Sequence, residues 1–139
     1  MPSGSCICGE LKYEFTGEGQ GLALCHCLSC RKVSGGTHTV NIMIPQDNLK
    51  VISPPDTEKT CTQRHETGMN LTVHFCGNCG GTIYKTADSK EFTGMAVVQV
   101  GTIDDPKFME DSKPGMELFT KYRAPWVSAV EGTVQKVEF

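Results

Sequence analysis

Leu71-Thr72-Val73-His74-Phe75-Cys76-Gly77-Asn78-Cys79-Gly80-Gly81-Thr82-Ile83-Tyr84-Lys85 reads as a strand, a tight turn carrying two thiols, and a second strand. Leu71, Val73 and Phe75 alternate with Thr72 and His74, the period of a half-buried strand. Two cysteines separated by two residues face one tetrahedral ion when the chain turns sharply between them. The glycines beside Cys76 and Cys79 let backbone N–H groups approach the sulfurs. A tetrahedral zinc needs two further ligands. Cys6-Ile7-Cys8-Gly9 offers such a pair, again followed by glycine. If the strand opening at Leu11 lies beside the strand ending at Phe75, then Cys6, Cys8, Cys76 and Cys79 form a closed Cys₄ site. Such a zinc is structural, and its binding energy is partly folding energy.

Outward from that hairpin, strand signals recur between turn signals. In Leu11-Lys12-Tyr13-Glu14-Phe15 the odd positions share a face. Thr39 to Ile44 is β-branched and stops at Pro45; Leu49 to Ile52 stops at Ser53-Pro54-Pro55. Met95 to Val100 is an apolar run ending at Gly101, and Val127 to Val137 carries two short strand-like pieces around Gly132. The polar stretch around Cys61 also reads as a strand. Helical signal is confined to a turn at Cys30–Val33, closed by Gly35-Gly36, and another at Asp105–Met109. The expected fold is mainly β, a small antiparallel zinc domain with little helix, and residues 1–139 form one domain.

Composition narrows the function. Net charge is −3, with no basic stripe, which disfavours nucleic acid as a partner. No apolar run approaches the ~20 residues of a membrane span. The N-terminal residues Met1 to Cys6 lack the basic and apolar regions of a secretory signal, so the expected location is cytoplasmic. Eight cysteines in a reducing compartment are expected to bind metal rather than to pair.

The remaining cluster is Cys25-His26-Cys27-Leu28-Ser29-Cys30. Cys25, Cys27 and Cys30 can share one ion, which leaves a fourth position for water or substrate, the pattern of a catalytic zinc. Closure by His38, His65, His74 or Cys61 stays open; His26 lies between two ligands and is badly placed to join them. A redox reading of Cys27-x-x-Cys30 is disfavoured, because such pairs sit at a strand-to-helix junction and the chain shows little helix. Cys61, alone, is a candidate nucleophile, against the expectation of a half-buried inert thiol.

Gly4-Ser5-Cys6-Ile7-Cys8-Gly9, Cys25-His26-Cys27-x-x-Cys30-Arg31-Lys32 with Gly35, and Phe75-Cys76-x-x-Cys79-Gly80 together resemble the glutathione-dependent formaldehyde-activating enzyme family, which includes proteins related to centromere protein V. Val100 to Pro106 and Arg123-Ala124-Pro125-Trp126 are similar to later segments of that family. The resemblance implies a β-tent type fold, two zinc sites, and carbon–sulfur lyase chemistry in which glutathione and formaldehyde give S-hydroxymethylglutathione. It implies a structural zinc on Cys6, Cys8, Cys76 and Cys79 and a catalytic zinc on Cys25, Cys27 and Cys30. Glu117 stands where many relatives carry a histidine, and Cys61 lies outside the family's zinc pattern.

On that reading Arg31 and Lys32 are candidates to hold a carboxylate of glutathione, against the alternative of a solvated charge pair. Trp126 is a candidate pocket wall, against a place in the core. His26 and His38 are candidate proton carriers, with Glu66 and Glu117 behind them. The competing function is a non-catalytic zinc module that binds a protein partner. A fixed protein ligand on the second ion would mark the module; an exchangeable position would mark the enzyme.

Overall fold

In the computed structural model, which describes residues 1–139, strands dominate. They are β1 (Ser3–Ser5), β2 (Lys12–Phe15), β3 (Gln20–Cys25), β4 (Thr39–Pro45), β5 (Leu49–Val51), β6 (Glu58–Arg64), β7 (Asn70–Cys76), β8 (Thr82–Ala87), β9 (Met95–Gln99), β10 (Pro114–Leu118) and β11 (Val134–Gln135). Two short helices complete the set, α1 (Leu28–Ser34) and α2 (Pro106–Glu110). A three-stranded sheet has the order β1-β2-β5, and an eight-stranded sheet the order β11-β10-β3-β4-β9-β8-β7-β6. Pairing is antiparallel except that β10 runs parallel to both β3 and β11.

Register decides what each face of the large sheet does. Leu22 pairs with Ile42, Ile42 with Val98, and Val98 with Tyr84. These residues belong to the main core, together with Tyr13 and Phe15 of the small sheet and Ile44, Ile83 and Ala96. One position along, Met43 pairs with Val97 and Val97 with Lys85. Because successive side chains point to opposite faces, this second row looks away from the core. It lines a cavity on the far side of the sheet.

The alternating segments fold as the sequence indicates, and both expected helical turns form, α1 ending at Gly35 with φ 66°. Three expectations need correction. The strand after Leu11 and the strand ending at Phe75 are not neighbours, because β2 and β7 lie in different sheets. Of the two pieces expected around Gly132, only Val134–Gln135 is a strand. Cys61 is exposed on β6, at the edge of the large sheet, rather than half-buried. Strands β1, β3 and β10 carry weak patterns of their own; β3 and β10 are recruited by partners on both sides. No helix is long and apolar enough to cross a membrane.

Candidate metal centres and the cavity beside them

Two turns bring the first four cysteines together. Cys6 and Cys8 lie in the turn between β1 and β2, and Cys76 and Cys79 at the turn between β7 and β8. All four Sγ atoms lie within 4.8 Å of one another. Cys6 and Cys8 are 3.4 Å apart, and Cys8 and Cys76 are 3.7 Å apart. A tetrahedral zinc with bonds of about 2.3 Å places its sulfurs roughly 3.8 Å apart, so the donor set fits that ion. Backbone amides aim at the sulfurs: Leu11 N–H at Cys6, Asn78 N–H at Cys76 and Gly81 N–H at Cys79, at 3.3, 3.3 and 3.4 Å. Backbone N–H groups of Cys8 and Gly81 lower the Cys79 thiol to about 6, so it is ready to ligate as thiolate. Gly80 turns the chain at φ +76°, a conformation glycine adopts freely.

The second cluster forms where β3 runs into α1. Cys25 ends the strand; Cys27 caps the helix, its sulfur accepting from the backbone N–H of Cys30 at 3.3 Å. Three residues on, Cys30 returns to the same side of the helix. The three sulfurs lie within 4.8 Å of one another, all three residues are buried, and no histidine, carboxylate or fourth cysteine joins them. Cys27-x-x-Cys30 thus does sit at a strand-to-helix junction, contrary to the expectation from the chain's low helix content. The third sulfur of Cys25 is what distinguishes the cluster from a two-thiol redox motif. Without a cation the three cannot all ionise. Hydrogen bonds from Cys25 and Cys27, then the charge of Lys85, hold Cys30 far below the usual thiol range, while hydrogen bonding and burial push Cys25 far above it. A divalent cation relieves that conflict, so this set also suits a metal.

Beyond its place in a strand, the sequence gives no sign of a functional role for Lys85 of β8. It is 3% exposed and points its Nζ at Cys30 Sγ (3.5 Å) and Thr39 Oγ1 (3.4 Å). Asn41 donates to Thr39 Oγ1 at 2.8 Å and leaves its Oδ1 without a partner. Buried His65 receives the backbone N–H of Thr67 on Nδ1, at 3.2 Å, and its Nε2 has no partner. All three line the cavity, about 260 Å³, into which Cys25, Cys27 and Cys30 also face. The rest of the wall is mostly apolar, with Leu22, Met43, Leu71, Val97, Met116 and Phe139 prominent. The one signal that could have found Lys85 is a lysine directly after Ile83-Tyr84 inside a strand.

Behind the cluster, fully buried Glu117 accepts from Val130 N–H (2.8 Å) and Gln135 Nε2 (2.9 Å), and its Oε1 lies 2.7 Å from His26 Nε2. Burial would raise this carboxyl, but the bonds from Gln135, His26 and Val130 and the charge of Arg123 outweigh it and hold it at about 2. His26 N–H also donates to Leu118 O at 3.0 Å. His26 is therefore a strut for the loop between Cys25 and Cys27. Neither it nor Glu117 lines the cavity.

A family model described as glutathione-dependent formaldehyde-activating enzyme matches residues 1–122. The chain belongs to that family. No curated protein matches it. In fold, this member of the glutathione-dependent formaldehyde-activating enzyme family is similar to a Rhodobacter sphaeroides protein of known crystal structure. The TM-score is 0.56 at 17% identity, covering 77% of this chain and 94% of that one.

The remaining site candidates of this family member lie apart from the cavity. Arg31 and Lys32 are exposed on the last turn of α1. Any role toward a peptide carboxylate would be played at the surface. Trp126 is 80% exposed, so it belongs neither to the core nor to the cavity wall. His38 lies against His26 with ring centres 5.1 Å apart and planes tilted by 50°, and Glu66 accepts from the Tyr122 hydroxyl.

Proposed function

We propose that the protein is a zinc-dependent carbon–sulfur lyase acting on glutathione or a glutathione adduct in the cytoplasm. Cys25, Cys27 and Cys30 hold the catalytic ion; Cys6, Cys8, Cys76 and Cys79 hold a structural one. The observation that carries this reading is the unequal donor count. Four sulfurs surround the first position, whereas three surround the second, which faces a cavity.

A zinc bound at the second position supplies a Lewis-acidic site that takes sulfur or oxygen and brings a thiol to thiolate near neutral pH. The chain's own residues set the conditions for that chemistry. Three thiolates carry one more negative charge than a divalent ion cancels, and the ammonium of Lys85 beside Cys30 offsets the excess. The apolar wall keeps bulk water away from a developing thiolate, which favours reversible sulfur exchange over hydrolysis. Asn41 Oδ1 is a buried acceptor that the hydroxyl of an adduct can satisfy. Glu117 and His26 hold the ligand loop in place.

Metal analysis combined with glutathione titration tests the reading. The purified protein should carry about two zincs, and glutathione should perturb only the cavity ion, read by cobalt substitution and visible absorption. A protein side chain seated on that ion would instead favour the non-catalytic interaction module.

A further inference from the structure

Formaldehyde is too small for this cavity. It needs about the room of one or two water molecules, roughly 10–30 Å³ on the same measure, against a cavity of about 260 Å³. Glutathione is no better suited to fill the remainder. It carries two carboxylates and an ammonium, and Lys85, already engaged with Cys30 and Thr39, is the only charged side chain on the wall apart from the cysteine cluster. His65 is kept neutral by burial, which lowers its pKa. Burying peptide charges there without partners is strongly disfavoured. The space is therefore shaped for apolar atoms. Met43, Met69 and Met116 give it walls that adapt to varied shapes.

Building on the lyase reading, we propose that the cavity receives an apolar substituent on the carbonyl carbon of the substrate. The preferred adduct is the hemithioacetal of a thiol with an aliphatic or aromatic aldehyde, and the charged part of the thiol stays at the mouth. In the forward direction a bond forms between the thiol sulfur and the aldehyde carbon. The carbonyl π pair moves to oxygen, which takes the proton that sulfur gives up. In reverse the carbon–sulfur bond breaks, the carbonyl re-forms and the proton returns to sulfur. No oxidant or reductant is needed.

Stable thioethers test this on the zinc-loaded protein by titration calorimetry. S-hexylglutathione should bind at least tenfold more tightly than S-methylglutathione, since each buried methylene is worth roughly fourfold. Val97→Phe, which fills part of the cavity, should cut that preference at least threefold. Equal affinity of the two thioethers overturns the proposal and leaves the lyase reading standing. If neither thioether binds, the glutathione reading fails, and 1-hexanol against methanol then decides the present one. Hexanol-specific shifts of the Val97 and Leu118 methyl signals uphold an apolar substrate site, and their absence overturns it.

Discussion

Lys85 buries an ammonium against the sulfur of Cys30, and its worth is measured by what the metal loses without it. We expect Lys85→Met to weaken zinc at the cavity site by about 10–100-fold, read by chelator competition, with the four-thiolate site unchanged. Cys27→Ser should reduce the metal content to about one zinc per chain and abolish lyase activity, with circular dichroism unchanged. His65 provides the pH test. Burial lowers its pKa from 6.5, outweighing the opposing charges of Glu66 and Cys30. The unfolded chain therefore binds more protons than the folded one below that value, so stability is full above pH 6.5 and is lost as pH falls beneath it. Urea unfolding between pH 7.5 and 5.5 should show that loss, and His65→Gln should reduce its slope. At this scale the cysteines were legible, because metal ligation demands particular atoms at short spacings. Lys85 and Asn41 were not, because a lone polar residue signals nothing until its neighbours bury it, and His65 can be read from the sequence only as one of four candidate fourth ligands, not as a cavity residue.

Among the elements, β1 and β2 show how closely backbone and ring can be fitted. A Cβ on Gly4 would lie 2.3 Å from the ring of Tyr13, which is fully buried and cannot swing away. Gly4→Ala should therefore cost about 1–3 kcal/mol, measured by urea unfolding with zinc saturating. Phe119 is another such point. It adopts φ 55° although it is not glycine, and it packs in one cluster with Cys25, Cys27 and Cys30. The conformation costs of the order of 1–2 kcal/mol, and full burial of the ring offsets it. Alternating strands such as β2 and β7 could be read directly, as could the Gly35 end of α1. Strands β3 and β10 could not. Gln20-Gly21-Leu22-Ala23 and Pro114-Gly115-Met116 have little alternation, and what makes them strands is hydrogen bonding to neighbours remote in sequence. The first cysteine cluster has the members its spacing suggests, but turns of two different sheets bring them together rather than adjacent strands.

For the whole molecule, the two clusters differ in position. The first ties a turn of the small sheet to a turn of the large one, and Cys6 and Cys76 sit within the main core. The second lies at the β3–α1 junction, beside the cavity on the far face of the large sheet. On the proposed function, graded chelation should therefore remove zinc from the cavity site first, with activity lost and the fold intact. The second zinc should leave only with cooperative unfolding, followed by near-ultraviolet circular dichroism against metal release. Cys76→Ser should behave like full chelation and unfold the chain. Sequence alone determined the mainly β class, the division of the seven clustered cysteines into four and three, and the family. The class rests on periodicity, the cysteine pairs and triplet on local spacing, and the family on the order of those motifs, all of which survive in one dimension; that the two distant pairs meet was only an expectation. Only the tertiary structure decided that no further side-chain donor joins the three-sulfur cluster, that Lys85 lies against it, and that the space beside it is apolar. Those properties depend on strand register across the large sheet, where Met43, Val97 and Lys85 come into one row although more than forty residues of chain separate the first from the last.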